Sequence, residues 1–239
     1  MMNRPETTIA FRRVVDLTHP IRPDIPVWPG DPSVEFEATA TIPGNGYFLR
    51  RFSMGEHSGT HISTPSAFFD QGIGPDGIPL EALVVSAVVI DSRDQAGRDP
   101  DYALTMEDIA LWERDHGEIP AGSIPLLLTG WHRYWDEPQC FINLGDDGLM
   151  HTPGFAPEAV SFLFDERRAA GIGTDTHGVD PGRDTDLEAS RAVLGRGAMV
   201  LECLNNLDQL PTTGATLVIG RLPLVGGSGS PASVLALAP

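Results

Sequence analysis

The sequence predicts a mixed α/β domain spanning residues 1–239, and three observations carry that prediction. The second half alternates apolar, strand-like runs with capped helical segments. The first half is strand and loop with little helical periodicity, so a doubly wound sheet alone does not account for the chain. Between them, Leu83 to Ile90 is a nearly continuous apolar run, the pattern of a strand buried on both faces. A chain of 239 residues has ample length to bury one large core.

Arg13 to Leu17 is a short apolar strand ended by Thr18-His19-Pro20. Pro23, Pro26, Pro29 and Pro32 mark a loop carrying Trp28, because proline cannot donate to a sheet ladder. Val34 to Ile42 and Tyr47 to Met54 alternate as paired strands about a turn at Pro43-Gly44-Asn45-Gly46. Gly72 to Pro79 is a loop. Thr105 to Asp108 has the capping-box pattern and opens a helix to about His116. Ile124 to Leu128 is a second buried strand. Pro157 to Ala170 is a helix with proline in its first turn and Gly171 beyond its end. Strand-like Ile172 to Thr174 leads into a loop, Asp175 to Gly182, and a helix from Asp186 to Leu194 is stopped by Gly195. Ala198 to Leu204, Ala215 to Leu224 and Val234 to Ala238 complete the strands, with Gly227 to Pro231 as a turn before the last.

A net charge of −17 argues against a nucleic-acid groove or an anionic membrane surface as partner. All 16 basic residues are Arg, so Schiff-base lysine chemistry is excluded. Cys140 and Cys203 are far apart with no metal or redox spacing, which fits reduced thiols in a cytoplasmic protein. No apolar run approaches a membrane span, and Met1 to Pro20 has no apolar leader core.

The densest chemical signal is His57-Ser-Gly-Thr-His61-Ile-Ser63-Thr-Pro65. In a regular strand the two histidine Cα atoms would lie about 13 Å apart, too far to share a metal comfortably. Pro65 and Gly59 argue against a regular helix, so a tight bend at Gly59-Thr60 is expected to swing both imidazoles into one cavity. Glu202 sits inside the apolar run Met199 to Leu204, where a carboxylate must be paired or have a raised pKa. His57, His61, His177 and Glu202 could act as general acids or bases. As metal ligands, His57 and His61 lack a nearby acid, with Asp175, His177, Asp180 and Glu202 as distant candidates. Glu56, next to His57, would tend to point elsewhere. Ser58 and Ser63 lack a nucleophile-elbow setting. His19, His116, His132 and His151 read as hydrogen-bonded structural groups.

These residues resemble the cyclase superfamily that includes bacterial kynurenine formamidase and isatin hydrolase. Its signature, His-x-Gly-Thr-His-x-Asp-x-Pro-x-His, is matched from His57 to Pro65. The likeness continues through Val27 to Asp31, Leu83 to Asp91, Pro153 to Glu158, Gly173 to Gly182, Glu202 and the close at Leu222 to Pro231. The resemblance implies a swivelling β/β/α fold and homodimers or homotetramers. It also implies a divalent ion on the two motif histidines and the motif Asp, with the last motif His as acid/base. Here Ser63 replaces that Asp, Ala67 replaces that His, and Ser190 stands where formamidase-type members place a second-metal His.

Loss of the carboxylate weakens a two-histidine site for a hard or borderline cation. The expectation is therefore a metal-independent cyclase, without cofactor, closing a ring in a small polyketide-type natural product. His57, His61 and Glu202 would be its catalytic groups, and Trp28, Ser63, Phe68, Phe69 and His177 would contact substrate. The alternative is a metal-dependent hydrolase of a cyclic amide or ester, with Zn or Mn on His57, His61 and Glu202. A catalytically silent binding homologue is the third reading.

Overall fold

The computed structural model describes residues 8–239. Its strands in chain order begin with β1 (Arg13–Asp16), β2 (Glu35–Ala40), β3 (Leu49–Ser53) and β4 (His61–Ser63). β5 (Val84–Asp91), β6 (Ala103–Leu104), β7 (Ile124–Leu128) and β8 (Gly154–Phe155) follow. The last are β9 (Gly171–Thr174), β10 (Met199–Glu202), β11 (Ala215–Arg221) and β12 (Gly229–Ala238).

Eight strands form the main sheet in the order β1-β12-β11-β5-β7-β9-β10-β4. β4 also pairs with β12, so the sheet closes on itself like a barrel. β5, β7, β9 and β10 run parallel, while β4, β11 and β12 close the circuit antiparallel. β2 and β3 form a separate hairpin, and β6 pairs with β8.

Alternation along the strands divides the apolar residues between two cores. Val85, Ala87, Val89, Leu126, Leu128, Leu201, Leu217 and Val234 fill one cluster. Val88, Ile90, Leu127, Ile172 and Val200 face the other way, against helices Met106–His116, Pro157–Asp165 and Glu188–Leu194. β5 and β7 are thus covered on both sides, as their continuous apolar runs require. The Thr105 capping box forms: Thr105 Oγ1 accepts the Asp108 amide at 3.2 Å and Asp108 Oδ2 accepts the Thr105 amide at 2.9 Å.

Several boundaries differ from the sequence reading, four of them with a clear physical cause. The helix from Pro157 ends at Asp165, because Arg168 turns left-handed (φ 54°) and the Ala170 amide already bonds the Ser123 carbonyl. Gly171 therefore opens β9 and does not stop a helix. The next helix starts at Glu188, since Asp184 accepts the Asp186, Leu187 and Glu188 amides and holds them in a turn. The Pro43 to Gly46 turn is a single helical turn, Ile42–Asn45. The largest change is at Gly229 to Pro231, which is strand and not turn, because β4 supplies it with a partner.

A third cluster packs Ile25, Val34, Trp131, Trp135, Phe141 and Cys203. His19 stacks on Trp135 with ring centroids 4.0 Å apart. No helix of the described residues is long and apolar enough to cross a membrane.

Burial pushes the His19 imidazole down to about 4. The unfolded chain takes up that proton below about 6.5 while the folded chain resists until about 4. Stability is therefore lost as pH falls through this window, by about 1.4 kcal/mol per pH unit. His19→Phe keeps a ring on Trp135 and removes that proton, so urea unfolding between pH 7 and 4.5 should show a shallower decline than wild type.

Candidate active site

The site forms where β4 closes the sheet. Gly59 (φ 71°) supplies the left-handed bend between the two motif histidines. Their rings meet edge to face with centroids 5.3 Å apart, so the expected convergence in one place is realised. Thr60 secures the bend by donating to the Cys203 carbonyl at 2.6 Å and accepting the His19 amide at 3.0 Å. At Gly229 a Cβ would sit 2.6 Å from His57 Cε1, so only glycine lets β12 approach this ring.

Register places His61 directly opposite Glu202 on β10. Facing residues in an antiparallel pair bring their side chains together, and His61 Nε2 lies 3.2 Å from Glu202 Oε2. The Gly178 amide donates to the same oxygen at 3.0 Å, and Ser63 Oγ donates to Glu202 Oε1 at 3.2 Å. Ser63 Oγ also lies 3.1 Å from His57 Nδ1. His57 Nε2 lies 2.9 Å from Ser228 Oγ, which donates to Glu56 Oε2 at 3.0 Å. A continuous polar chain thus runs from Glu56 through Ser228, His57 and Ser63 to Glu202.

Burial alone would raise the Glu202 carboxyl, but the imidazole charges of His61, then His177 and His57, hold it down at about 2. Burial opposes a charged His61, yet Glu202 and the Gly59 carbonyl leave its pKa raised. Burial and the His61 charge push His177 down to about 4, and the same two causes lower His57.

A cation has suitable donors here. His61 Nδ1 donates to the Gly59 carbonyl at 2.9 Å and His177 Nε2 to the His57 carbonyl at 3.2 Å. His177 is thereby fixed in the tautomer that leaves Nδ1 as an electron-pair donor, while a cation at His61 Nε2 would replace the proton shared with Glu202. His177 Nδ1 is buried with no hydrogen-bond partner among the described residues, and His61 Nε2 is buried against Glu202 Oε2, 3.2 Å away. Ligand atoms of His61, His177 and Cys203 lie within 4.8 Å of one another, with the ionised Glu202 adjoining. Two imidazoles, a sulfur and a carboxylate suit a borderline cation such as Zn²⁺. Burial and the neighbouring Glu202 and Asp175 push the Cys203 thiol well above its ordinary range, so ligation there would have to displace its proton. His57 is less suited than the sequence suggested, since both its nitrogens are engaged by hydroxyls.

A cavity of about 240 Å³ opens beside this network. Its lining includes the expected Trp28, His57, Ser63, Phe68, His177 and Glu202. Trp28 meets His177 edge-on at 5.4 Å. Phe69 is elsewhere: it is 39% exposed and lies against Gly195. Asp175 is no ligand candidate, because Thr129, Trp131 and His132 occupy its oxygens. Asp180 lines the cavity, but its carboxylate caps helix Glu188–Leu194 through the Ala189 and Ser190 amides and the Ser190 hydroxyl. Burial raises that carboxyl to about 6. Asp31, Leu187 and Ser228 also line the cavity. Sequence reading missed Ser228, Glu56 and Cys203. The Gly-Ser-Gly-Ser run at 227–230 was a visible signal for the first, but its pairing with β4 was not.

Comparison with known proteins agrees with this geometry. The family described as "Putative cyclase" matches residues 15–181. The chain is 32% identical to an isatin hydrolase of Roseibium aggregatum over 243 residues, covering 95% of this chain and 92% of that one. A kynurenine formamidase of Erythrobacter litoralis is 28% identical over 221 residues, with 90% and 89% covered. Among solved structures, isatin hydrolase A from Ralstonia solanacearum superposes with a TM-score of 0.90 at 36% identity, covering 95% and 92%. A "predicted metal-dependent hydrolase from Bacillus stearothermophilus" gives 0.69 at 26% identity, covering 94% and 97%.

One expectation is corrected, and another yields to its alternative. A pocket without metal or cofactor conflicts with metal-dependent relatives and with the His61, His177 and Cys203 group. Loss of the motif carboxylate at Ser63 misled, because Glu202 brings another carboxylate to the same strand pair. Ring closure in a polyketide-type product is not shown, and the curated isatin hydrolase and kynurenine formamidase relatives favour the hydrolase alternative.

Removing one member of a buried ion pair leaves the other uncompensated, at a cost of about 3–5 kcal/mol. Glu202→Ala should accordingly lower folding stability by about 3–5 kcal/mol in urea unfolding at pH 7.

Proposed function

We propose, on the premise that the chain belongs to the cyclase family, that it is a metal-dependent hydrolase opening a small cyclic amide or ester. The observation that carries this reading is the unpartnered, buried Nδ1 of His177 and the His61 Nε2 held on an ionised Glu202, with His177 and Glu202 at the wall of a small cavity. His61, His177 and Cys203, with Glu202, would hold the ion, Zn or Mn, which when bound supplies Lewis-acid polarisation of a carbonyl. Trp28 and Phe68 would hold an apolar ring and exclude water.

Hydrolysis joins a water oxygen to the carbonyl carbon and breaks the ring C–N or C–O bond. The water proton is taken up by His57 Nδ1 through the Ser63 hydroxyl, 3.1 Å away, and returned to the departing nitrogen or oxygen. Lowering of the His57 pKa by burial favours the neutral ring that a base requires.

The test is turnover of isatin and of simple lactams and lactones by purified protein, read as ring-opened carboxylate. Activity should vanish on chelation, return with Zn²⁺ or Mn²⁺, and fall at least a hundredfold in His61→Ala and His177→Ala. Turnover undiminished after exhaustive chelation and metal analysis would sink the proposal.

We also infer a homodimer or homotetramer. Tyr47, Phe48, Leu49 and Phe52 on the β2–β3 hairpin are all more than half exposed, an apolar face that a second copy would cover. Sedimentation velocity should give at least a dimer, and Phe48→Glu with Phe52→Glu should shift it toward monomer. The two free thiols support a reducing, cytoplasmic setting.

A further inference from the structure

We infer that Glu56, acting through Ser228, is a positioning residue that holds His57 with its proton on Nε2 and leaves Nδ1 as the basic nitrogen. This rests on the hydrolase reading for its catalytic meaning, though not for its geometry.

The argument is one of donors and acceptors. Glu56 Oε2 accepts the Ser228 amide at 2.7 Å, the Gly229 amide at 3.3 Å and the Ser228 hydroxyl at 3.0 Å. An ionised carboxylate can only accept, so the Ser228 hydroxyl proton is committed to Glu56. Ser228 Oγ therefore turns a lone pair to His57 Nε2, 2.9 Å away, which must donate. The neutral ring then keeps its lone pair on Nδ1, facing Ser63 Oγ. At that end the Ser63 hydroxyl has two acceptors within reach, His57 Nδ1 at 3.1 Å and Glu202 Oε1 at 3.2 Å. It can serve either, so Ser63 does not fix the tautomer. Glu56 and Ser228 do.

The arm is built rigidly. Thr64 donates to the Ser228 carbonyl through both its amide, at 3.0 Å, and its hydroxyl, at 2.7 Å. Ser66 Oγ donates to the Gly227 carbonyl at 2.8 Å. Gly229 lets the strand lie against the imidazole. Glu56 itself lines a second, apolar groove with Met54, Phe52 and Leu224. It sits outside the substrate cavity's lining and reaches His57 Nε2 through Ser228. The arrangement is an acid–imidazole pair with a hydroxyl inserted between them, doing the orienting work that a carboxylate does directly in hydrolytic triads.

The test uses ¹⁵N-histidine-labelled full-length protein, with the His57 resonances assigned from His57→Gln. Wild type should show a protonated Nε2 and an unprotonated Nδ1. In Ser228→Ala, Nε2 loses its acceptor, so the proton should move to Nδ1, where Ser63 can accept it while donating to Glu202. kcat should fall roughly a hundredfold with KM changed less than about twofold. Glu56→Ala should do the same, whereas Glu56→Gln, which keeps an acceptor oxygen for Ser228, should retain the wild-type nitrogen pattern and at least a third of kcat. Thermal unfolding and metal content of each variant separate misfolding from misorientation. A protonated Nδ1 in wild type, or an unchanged nitrogen pattern in a folded Ser228→Ala, would overturn the assignment. If wild type turns over no cyclic amide or ester, the hydrolase reading fails, and the nitrogen pattern still decides the role of Glu56.

Discussion

The structure depends on one three-residue strand being paired on both sides. β4 bonds β10 along one edge and β12 along the other, closing the sheet. Its residues are all buried, so the strand cannot carry a polar side chain without a partner for it. Register answers that need: His61 faces Glu202, and Ser63 reaches the same carboxylate. Closing the barrel and assembling the polar site are therefore a single event, and neither can be altered without the other.

Burying one carboxylate among three imidazoles distributes charge in a particular way. Glu202 stays ionised, His61 is drawn toward the charged form, and His177 and His57 are pushed toward neutrality. One positive charge belongs between His61 and Glu202, and a proton or a cation can supply it. Neutral rings remain as electron-pair donors or bases. This division of labour follows from spacing and burial, without any of the histidines being chemically special in sequence.

The small residues at Ser63, Ala67 and Ser190 have been given other work or none. Ser63 links His57 to Glu202, and Ser190 joins the Asp180 cap at the start of its helix. Ala67 contributes cavity lining. A motif read position by position records which ligands are missing. It does not record which neighbours have moved in, here Cys203 and His177 beside His61.

Much of the fold was legible in the linear chain. Continuous apolar runs marked β5 and β7 as covered on both faces, the Thr105 box set a helix start, and Gly59 with Pro65 marked the bend between the histidines. The convergence of His57, His61 and Glu202 was also legible, because a carboxylate in an apolar strand needs a partner. Boundaries set by single left-handed residues, Arg168 and Leu187, were not, since nothing in those side chains announces the conformation. What the sequence by itself determined is the long buried strands, β5 and β7 above all, and the presence of a polar knot beside them, because burial pattern and propensity are local. What only the tertiary structure decided is which residues complete the knot. Glu56, Ser228 and Cys203 lie up to 173 positions from their partners, and only strand register across the barrel's seam brings them together.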